Sequence, residues 1–206
     1  MLHVHDLACV RGDLPLFAGV GFEVQTGEVL WVEGSNGSGK TSLLRILCGL
    51  SPPAAGEVRW RGEPVRATRE SYAREVLYLG HANALKDDLT IAENLRYNAL
   101  LCGAPADDDA VDTAIAAVGL IERAELPVRV LSQGQRRRAA LARLWCSGPR
   151  VLWILDEPFS ALDVASVQRL AEHLGAHVAN GGLAVLTTHQ EVPLPAGRTR
   201  RLRLDA

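Results

Sequence analysis

The sequence predicts an α/β fold built on a mainly parallel sheet with helices on both faces. Short apolar runs end at glycine-rich or acidic turns, segments with helical spacing follow them, and no repeat or low-complexity linker breaks the alternation. Continuous apolar strands joined by helices belong to sheets covered on both sides. At 206 residues the chain holds one sizeable core with room for a small subdomain, and not two full domains.

The elements follow in order. Val29-Leu30-Trp31-Val32 is a buried-strand run that stops at a glycine-rich turn, and Thr41 to Leu50 then has helical spacing. Glu57 to Arg61 alternates like an exposed strand next to a turn at Arg61-Gly62, and Val76 to Leu79 reads as another buried strand. From about Thr90 to Ala124 the character becomes helical: Ile91, Leu95, Leu100 and Leu101, then Val111, Ile115, Val118 and Leu120, recur at helical intervals broken by Gly103 and Pro105. The acidic turn Asp107-Asp108-Asp109 is read as a solvated helix start. Afterwards come a helix from about Gln133 to Cys146, a strand over Val151 to Leu155, a helix after Asp163 and a strand over Leu183 to Leu186.

Composition excludes several classes. Hydrophobic residues at 48% and charged residues at 22% fit an ordinary α/β protein. A net charge of −2 argues against a nucleic-acid groove, which needs a basic excess. The richest apolar stretch, Ala139 to Leu155, is cut by Arg143, Pro149 and Arg150, so no membrane span is expected. Met1 to Asp6 lacks a basic region leading into an apolar core, and no secretory signal is expected. Cys9, Cys48, Cys102 and Cys146 form no CxxC pair and read as buried thiols of a reducing compartment.

Three motifs carry the chemistry. Gly34-Ser35-Asn36-Gly37-Ser38-Gly39-Lys40-Thr41, followed by Ser42, is a P-loop between a strand and a helix. Small residues let successive N–H groups turn toward phosphate oxygens, and the helix beginning near Lys40 adds the positive end of its dipole. Lys40 then offers a charge to the β- and γ-phosphates, and Thr41 a hydroxyl to Mg²⁺. Asp156-Glu157-Pro158 ends the second apolar strand, where ligands of parallel sheets bind. Asp156 is expected in the Mg²⁺ shell, with Glu157 polarising the attacking water. The third motif is Leu131-Ser132-Gln133-Gly134-Gln135, whose Ser132 reads as the N-cap of an anion-binding helix start.

Taken together, these strings resemble the ABC-type ATPases over nearly the whole chain. The resemblance implies a P-loop NTPase core with an N-terminal antiparallel β region and a small α-helical subdomain. It divides residues 1–206 into a RecA-like core and β region over 1–80 and 131–206, and a helical subdomain over about 81–130. Ser160-Ala161-Leu162-Asp163 is similar to the family's D-loop, with Asp163 reporting between subunits. His189, 33 residues beyond Asp156, matches the switch histidine near the γ-phosphate. The family works as head-to-tail pairs on ATP and Mg²⁺, so Ser132, Gln133, Gly134 and Gln135 are expected to act in trans on a second copy. Further strings resemble the ATP-binding subunits of the cytochrome c maturation transporter, which handle haem. They are Ala142-Arg143-Leu144-Trp145, Leu152 to Phe159, Thr187-Thr188-His189-Gln190 and Leu79-Gly80-His81, together with a chain ending shortly after His189. That likeness implies integral membrane partners and a peripheral place on the cytoplasmic face of the bacterial inner membrane. The helical insert and the segment around His81 would form the groove for those partners.

Two positions depart from the family pattern. The aromatic residue that usually stacks on adenine aligns with Arg11, whose guanidinium plane can also stack on a base; a solvated loop arginine is the alternative. The usual Q-loop glutamine is replaced within Gly80-His81-Ala82-Asn83, leaving His81, or secondarily Asn83, to make the contact. A protonatable group at that catalytic position predicts ATPase activity that falls in acid. His173 and His177, four apart on a helix, lack a third ligand and are read as surface or packing residues, as are His3 and His5. Arg136-Arg137-Arg138 is read as a solvated or partner-facing run, and Trp145 and Trp153 as core. The catalytic motifs are equally those of other ABC exporters and importers. A soluble ABC protein with paired domains, or a P-loop kinase, fits the chain less well.

Overall fold

The computed structural model describes residues 1–103, 107–146, 148, 150–195 and 197–204; Pro105 and Pro149, expected above as breaks, lie outside them. Strands β1 (Leu2–Arg11) and β2 (Leu14–Val24) form a hairpin, then β3 (Val29–Glu33) leads through the glycine-rich loop into α1 (Lys40–Leu47). Next come β4 (Ala55–Trp60), β5 (Glu63–Pro64), α2 (Arg69–Glu75) and β6 (Val76–Leu79). Helices α3 (Ile91–Leu101) and α4 (Asp108–Ala117) follow, and then α5 (Gln133–Leu141), β7 (Leu152–Asp156), α6 (Val164–Ala179), β8 (Leu183–Thr187) and β9 (Thr199–Arg203). Two sheets result. The antiparallel one runs β2-β1-β4-β5, and the other, parallel throughout, runs β6-β7-β8-β3-β9.

The parallel strands are apolar on both faces because both faces are covered. Leu30, Val32, Leu152, Ile154, Leu183 and Val185 point to one side, where they meet α1 and the antiparallel sheet. Their neighbours Val29, Trp31, Trp153, Leu155, Ala184 and Leu186 point to the other, against α6 and the end of α5. This period-two division sets the core on both sides of the sheet. A third cluster joins Ile91, Leu95, Val111, Ile115 and Val128 to Ala139 and Ala142, so the helical insert has its own core and leans on α5.

Several expectations needed correction. Strand β2 was missed because Pro15, Gly19 and Gly21 interrupt it and half of it is exposed. β9 is an arginine-rich edge strand with no apolar run, and α2 is a short helix. The helix expected to reach Cys146 ends at Leu141 and tightens into a 3₁₀ turn over Ala142–Leu144. Glu57 to Arg61 is less exposed than its alternation implied: β4 lies inside the antiparallel sheet, with Val58 and Trp60 buried. Leu100 and Leu101 fall off the buried stripe of α3, which is Ile91, Ala92, Leu95 and Ala99, and are 66% and 67% exposed. Of the cysteines, Cys9 is buried and Cys102 is exposed, while Cys48 and Cys146 are half-buried. Asp107 caps α4 by accepting the Ala110 N–H at 2.7 Å.

Candidate active site

The site lies at the C-terminal ends of β3, β7 and β8, where the parallel strands deliver their loops. The loop from Gly34 to Gly39 joins β3 to α1, and Gly39 takes the N-cap position at φ 94° with no side-chain cap. A Cβ there would come within 2.9 Å of the Phe17 ring on β2. Lys40 Nζ donates to Gly34 O at 2.7 Å and Ser35 O at 3.0 Å, folding back over the loop. Ser38 Oγ is buried with no hydrogen-bond partner. Uncapped helix amides, a buried free hydroxyl and an ammonium together make a set of donors that suits an anion.

Beside this loop, Asp156 is held from two sides. Thr41 Oγ1 donates to its Oδ2 at 2.8 Å and Thr187 Oγ1 to its Oδ1 at 2.8 Å. Carboxylate and hydroxyl oxygens are hard donors that fit Mg²⁺. Among the described residues no group of three or more His, Cys, Asp or Glu could hold a metal. An ion on Thr41 and Asp156 would therefore complete its shell with phosphate and water oxygens.

Glu157 adopts φ 48° immediately before Pro158, a left-handed conformation costing about 1–2 kcal/mol for a residue with a Cβ. Its N–H donates to Thr187 Oγ1 at 2.9 Å and its carbonyl accepts from Arg137 Nη2 at 2.6 Å. The turn aims the carboxylate at His189: the His189 N–H donates to Oε2 at 3.3 Å, and His189 Nε2 lies 3.5 Å from Oε1. Oε1 is buried and makes no hydrogen bond, with His189 as its ion-pair contact.

These groups share one cleft of about 630 Å³. Asn36, Gly37, Gly39, Lys40, Thr41 and Ser42 line its floor, and Asp156, Glu157 and His189 one wall. His81 and Arg11, the last residue of β1, also line it, so both departures from the family pattern fall at the cleft. Asn83 does not line it: its Oδ1 accepts from Arg137 Nη1 at 3.2 Å. Gly34, Ser35 and Ser38 form the loop behind the lining residues. Ser132, Gln133, Gly134, Gln135 and Asp163 are not brought into the cleft of their own chain. Ser132 instead closes a capping box on α5: Ser132 Oγ accepts the Gln135 N–H at 3.3 Å, and Gln135 Oε1 accepts the Ser132 N–H at 2.9 Å. Asp163 caps α6, and the hydrogen bonds it accepts from Ser166 hold its carboxyl below the usual range.

Leu14 escaped the sequence reading, which gave Ser160 only within the D-loop string and Arg137 only within a run of arginines. Leu14 and Ser160 line the cleft; a two-residue Gly12-Asp13 turn before Leu14 is the hairpin signal that would have found the first. Arg137 is 5% exposed, which corrects the solvated run expected at Arg136 to Arg138. Its phase with buried Leu141, one helical turn on, marks it as the inward member. Arg136 meets Asp87 at 3.1 Å, and Arg138 donates to the Val118 carbonyl.

Comparison with known proteins agrees with this geometry. The family model described as ABC transporter matches residues 17–160. The cytochrome c biogenesis ATP-binding export protein CcmA of Aromatoleum aromaticum is 54% identical over 94% of this chain and 90% of its own. That of Dechloromonas aromatica is 52% identical over 99% of this chain and 100% of its own. Among solved structures, an ATP-binding subunit of an ABC transporter superposes with a TM-score of 0.81 at 26% identity, covering 92% of this chain and 79% of that one. A dimeric ATP-binding cassette bound to ADP and Pi in a post-hydrolysis state gives 0.81 at 21% identity, covering 92% and 88%, and speaks to the fold alone. With the family model matching residues 17–160 and half the residues identical to the named relatives over nearly the whole chain, the chain belongs to the ABC transporter family, among its cytochrome c biogenesis ATP-binding export proteins.

Proposed function

We propose that this chain is the ATP-binding and ATP-hydrolysing subunit of an ABC transporter complex of cytochrome c maturation, whose cargo process is haem export or release. The observation that carries the catalytic part is the Glu157 carboxylate, which lines the cleft with its Oε1 3.5 Å from His189 Nε2 and free of any hydrogen bond. Lys40 and the amides of the glycine-rich loop grip the phosphates, and Ser38 Oγ gives a further donor. Thr41 and Asp156 hold Mg²⁺, which when bound neutralises charge on the β- and γ-phosphate oxygens. Glu157 orients and deprotonates a water for in-line attack, and His189 steadies both that carboxylate and the γ-phosphate. His81 takes the position of the missing glutamine, since Asn83 is already engaged by Arg137. Arg11 stacks on the base, with Leu14 offering an aliphatic surface next to it.

The cradle lacks a lid in the single chain. We infer that Ser132 to Gln135 of a second copy supply it in a head-to-tail pair, with Asp163 lying at the contact between the copies. The exposed, outward start of α5 supports this. The described residues contain no helix long and apolar enough to cross a membrane. In the proposed reading integral membrane subunits carry the transport path and the chain works at the cytoplasmic face of the bacterial inner membrane, which the export-protein relatives support. The docking groove for those subunits runs between β6 and the helical subdomain of about residues 81–130, lined by Tyr78, Leu95, Ala99, Cys102 and Arg143. Arg143 brings a guanidinium to that groove, which favours a carboxylate on the arriving segment.

Release of labelled phosphate from ATP to water, with no acceptor added, tests the reaction. Glu157→Gln should bind ATP and lose at least about a hundredfold in kcat; transfer to an acceptor, or an unchanged kcat, would overturn the assignment. Co-purification with cytochrome c maturation membrane subunits, weakened by Arg143→Glu, tests the partner.

A further inference from the structure

Glu157 stands in a conformation that L-residues avoid, and among the described residues two side chains hold its peptide: Thr187 through the N–H and Arg137 through the carbonyl, which also accepts the Ser160 N–H at 3.2 Å. Arg137 does more than hold that carbonyl. Its Nη2 also donates to Asp156 O at 3.1 Å, and its Nη1 donates to Gly80 O at 3.4 Å and Asn83 Oδ1 at 3.2 Å. One buried guanidinium thus joins the end of β7 to the loop that carries His81. It does so from α5, five residues after Ser132. Burial lowers the pKa of this guanidinium, and the nearby charges of Asp156 and Glu157 offset part of that cost. The planar fork is what the geometry requires: two Nη atoms serve acceptors on two separate segments, which the single point of a lysine ammonium cannot span.

We propose that Arg137 is a positioning residue for hydrolysis, locking Glu157 and the 80–83 loop to α5 so that contact made at Ser132–Gln135 is passed to the catalytic carboxylate of the same chain. This rests on the ATPase reading above, in which Glu157 handles the water and the start of α5 meets the nucleotide of a second copy. A buried scaffold residue would also be costly to remove, but it would lower stability without separating catalysis from binding. Each chain thereby gains a rigid connection between the site it completes on its partner and the site it owns. Because the link runs through hydrogen bonds from one charged guanidinium to carbonyl oxygens, it is sensitive to the loss of that donor.

The test uses the purified full chain with Arg137→Met, Arg137→Lys and Asn83→Ala, measuring kcat, KM, the ATP dissociation constant and the melting temperature. Arg137→Met should lower kcat about ten- to a hundredfold while the ATP dissociation constant stays within about threefold. Arg137→Lys should recover part of that loss, and Asn83→Ala, which removes a single acceptor, should cost kcat about threefold with ATP affinity unchanged. The kcat penalty of Ser132→Ala should shrink in the Arg137→Met background, since coupled residues are not additive. Additive penalties, a parental kcat in Arg137→Met, or affinity falling in step with kcat would each overturn the proposal. If Arg137→Met does not fold, parental kcat in both Arg137→Lys and Asn83→Ala overturns it. A parent chain that binds ATP and releases no phosphate would instead sink the underlying ATPase reading.

Discussion

Two helices of this molecule begin at loops that look alike on paper, and the structure separates them. Helix α1 starts after a glycine-rich loop and α5 after Ser132 with Gly134 in its first turn, and both promise an anion at a helix N-terminus. At α1 the N-cap is Gly39 in a left-handed conformation with no side chain to spend on the helix, and Ser38 Oγ is buried without a partner. At α5 the N-cap Ser132 and Gln135 satisfy each other in a capping box. The first end is open and waits for a ligand; the second is closed on itself within the single chain, and an incoming phosphate must compete with that box. Dipole and amides are common to both. What distinguishes a phosphate cradle from an ordinary well-made helix start is which donors are left over.

The largest effect should come from closing the open end. Gly39→Ala adds a Cβ at 2.9 Å from the Phe17 ring in a backbone region that disfavours side chains, so ATP affinity should fall by about a hundredfold or more. Gly37→Ala meets nothing within 4 Å and carries only the conformational cost, so it should lose about tenfold. Calorimetric titration of ATP on the two variants measures the gap. Equal losses would mean that the Phe17 contact plays no part in shaping the cradle.

A smaller effect is expected from opening the closed end. Ser132→Ala removes one half of the capping box, which should cost about 1 kcal/mol and lower the melting temperature by about 2–4 °C. If the α5 start meets the nucleotide of a second copy, kcat should fall about tenfold more steeply than ATP affinity, because the cradle of the same chain is untouched. Steady-state kinetics set beside equilibrium binding make the distinction. Parallel loss of both would place Ser132 in its own chain's cradle and remove the asymmetry between the two ends.

The difference between the helix starts was only half legible in the sequence. Gly34 to Thr41 followed an apolar strand and preceded a helical period, and Asp156-Glu157 ended a second such strand, so the site's centre could be read from local pattern. The capping box could be read as well, from Ser132 and Gln135 three apart. The hairpin that carries Arg11 and Leu14 over the cleft could not be read so easily, because Pro15 and two glycines hide β2. Nor was the inward turn of Arg137 apparent: a run of three arginines reads as solvated until the helix is seen to pack against β7 and the 80–83 loop. Apart from the Asn83 side chain, its partners are backbone carbonyls, which have no residue type to find. The edge strand β9 was hidden for a similar reason. Its arginines pair with acidic residues of neighbouring segments, as Arg201 does with Glu33 at 2.7 Å, and burial there is only partial.

The contrast between open and satisfied groups also divides the histidines, and it sets the smallest predicted effect. His189 is half exposed in the cleft beside Glu157, whereas His173 and His177 are stacked behind the sheet. The His173 ring lies on Trp145 with centroids 4.0 Å apart, and the His177 ring on Trp153 at 3.7 Å. His177 Nε2 faces the carbonyls of Val151 and Leu183 at 3.1 and 3.3 Å, and His173 Nε2 that of Leu144 at 3.3 Å, so each Nε2 is the protonated nitrogen of a neutral ring. Burial pushes both pKa values below the ordinary 6.5. The unfolded chain therefore takes up these protons first as the pH falls, and the stability held above 6.5 is lost progressively below it. The melting temperature should drop by roughly 2–4 °C more between pH 7 and pH 5.5 than in a His173→Phe, His177→Phe chain, which keeps flat rings and removes the titration. Scanning calorimetry over that range decides it. Identical acid limbs would assign the loss to other groups and leave the stack a packing feature without a charge to protect.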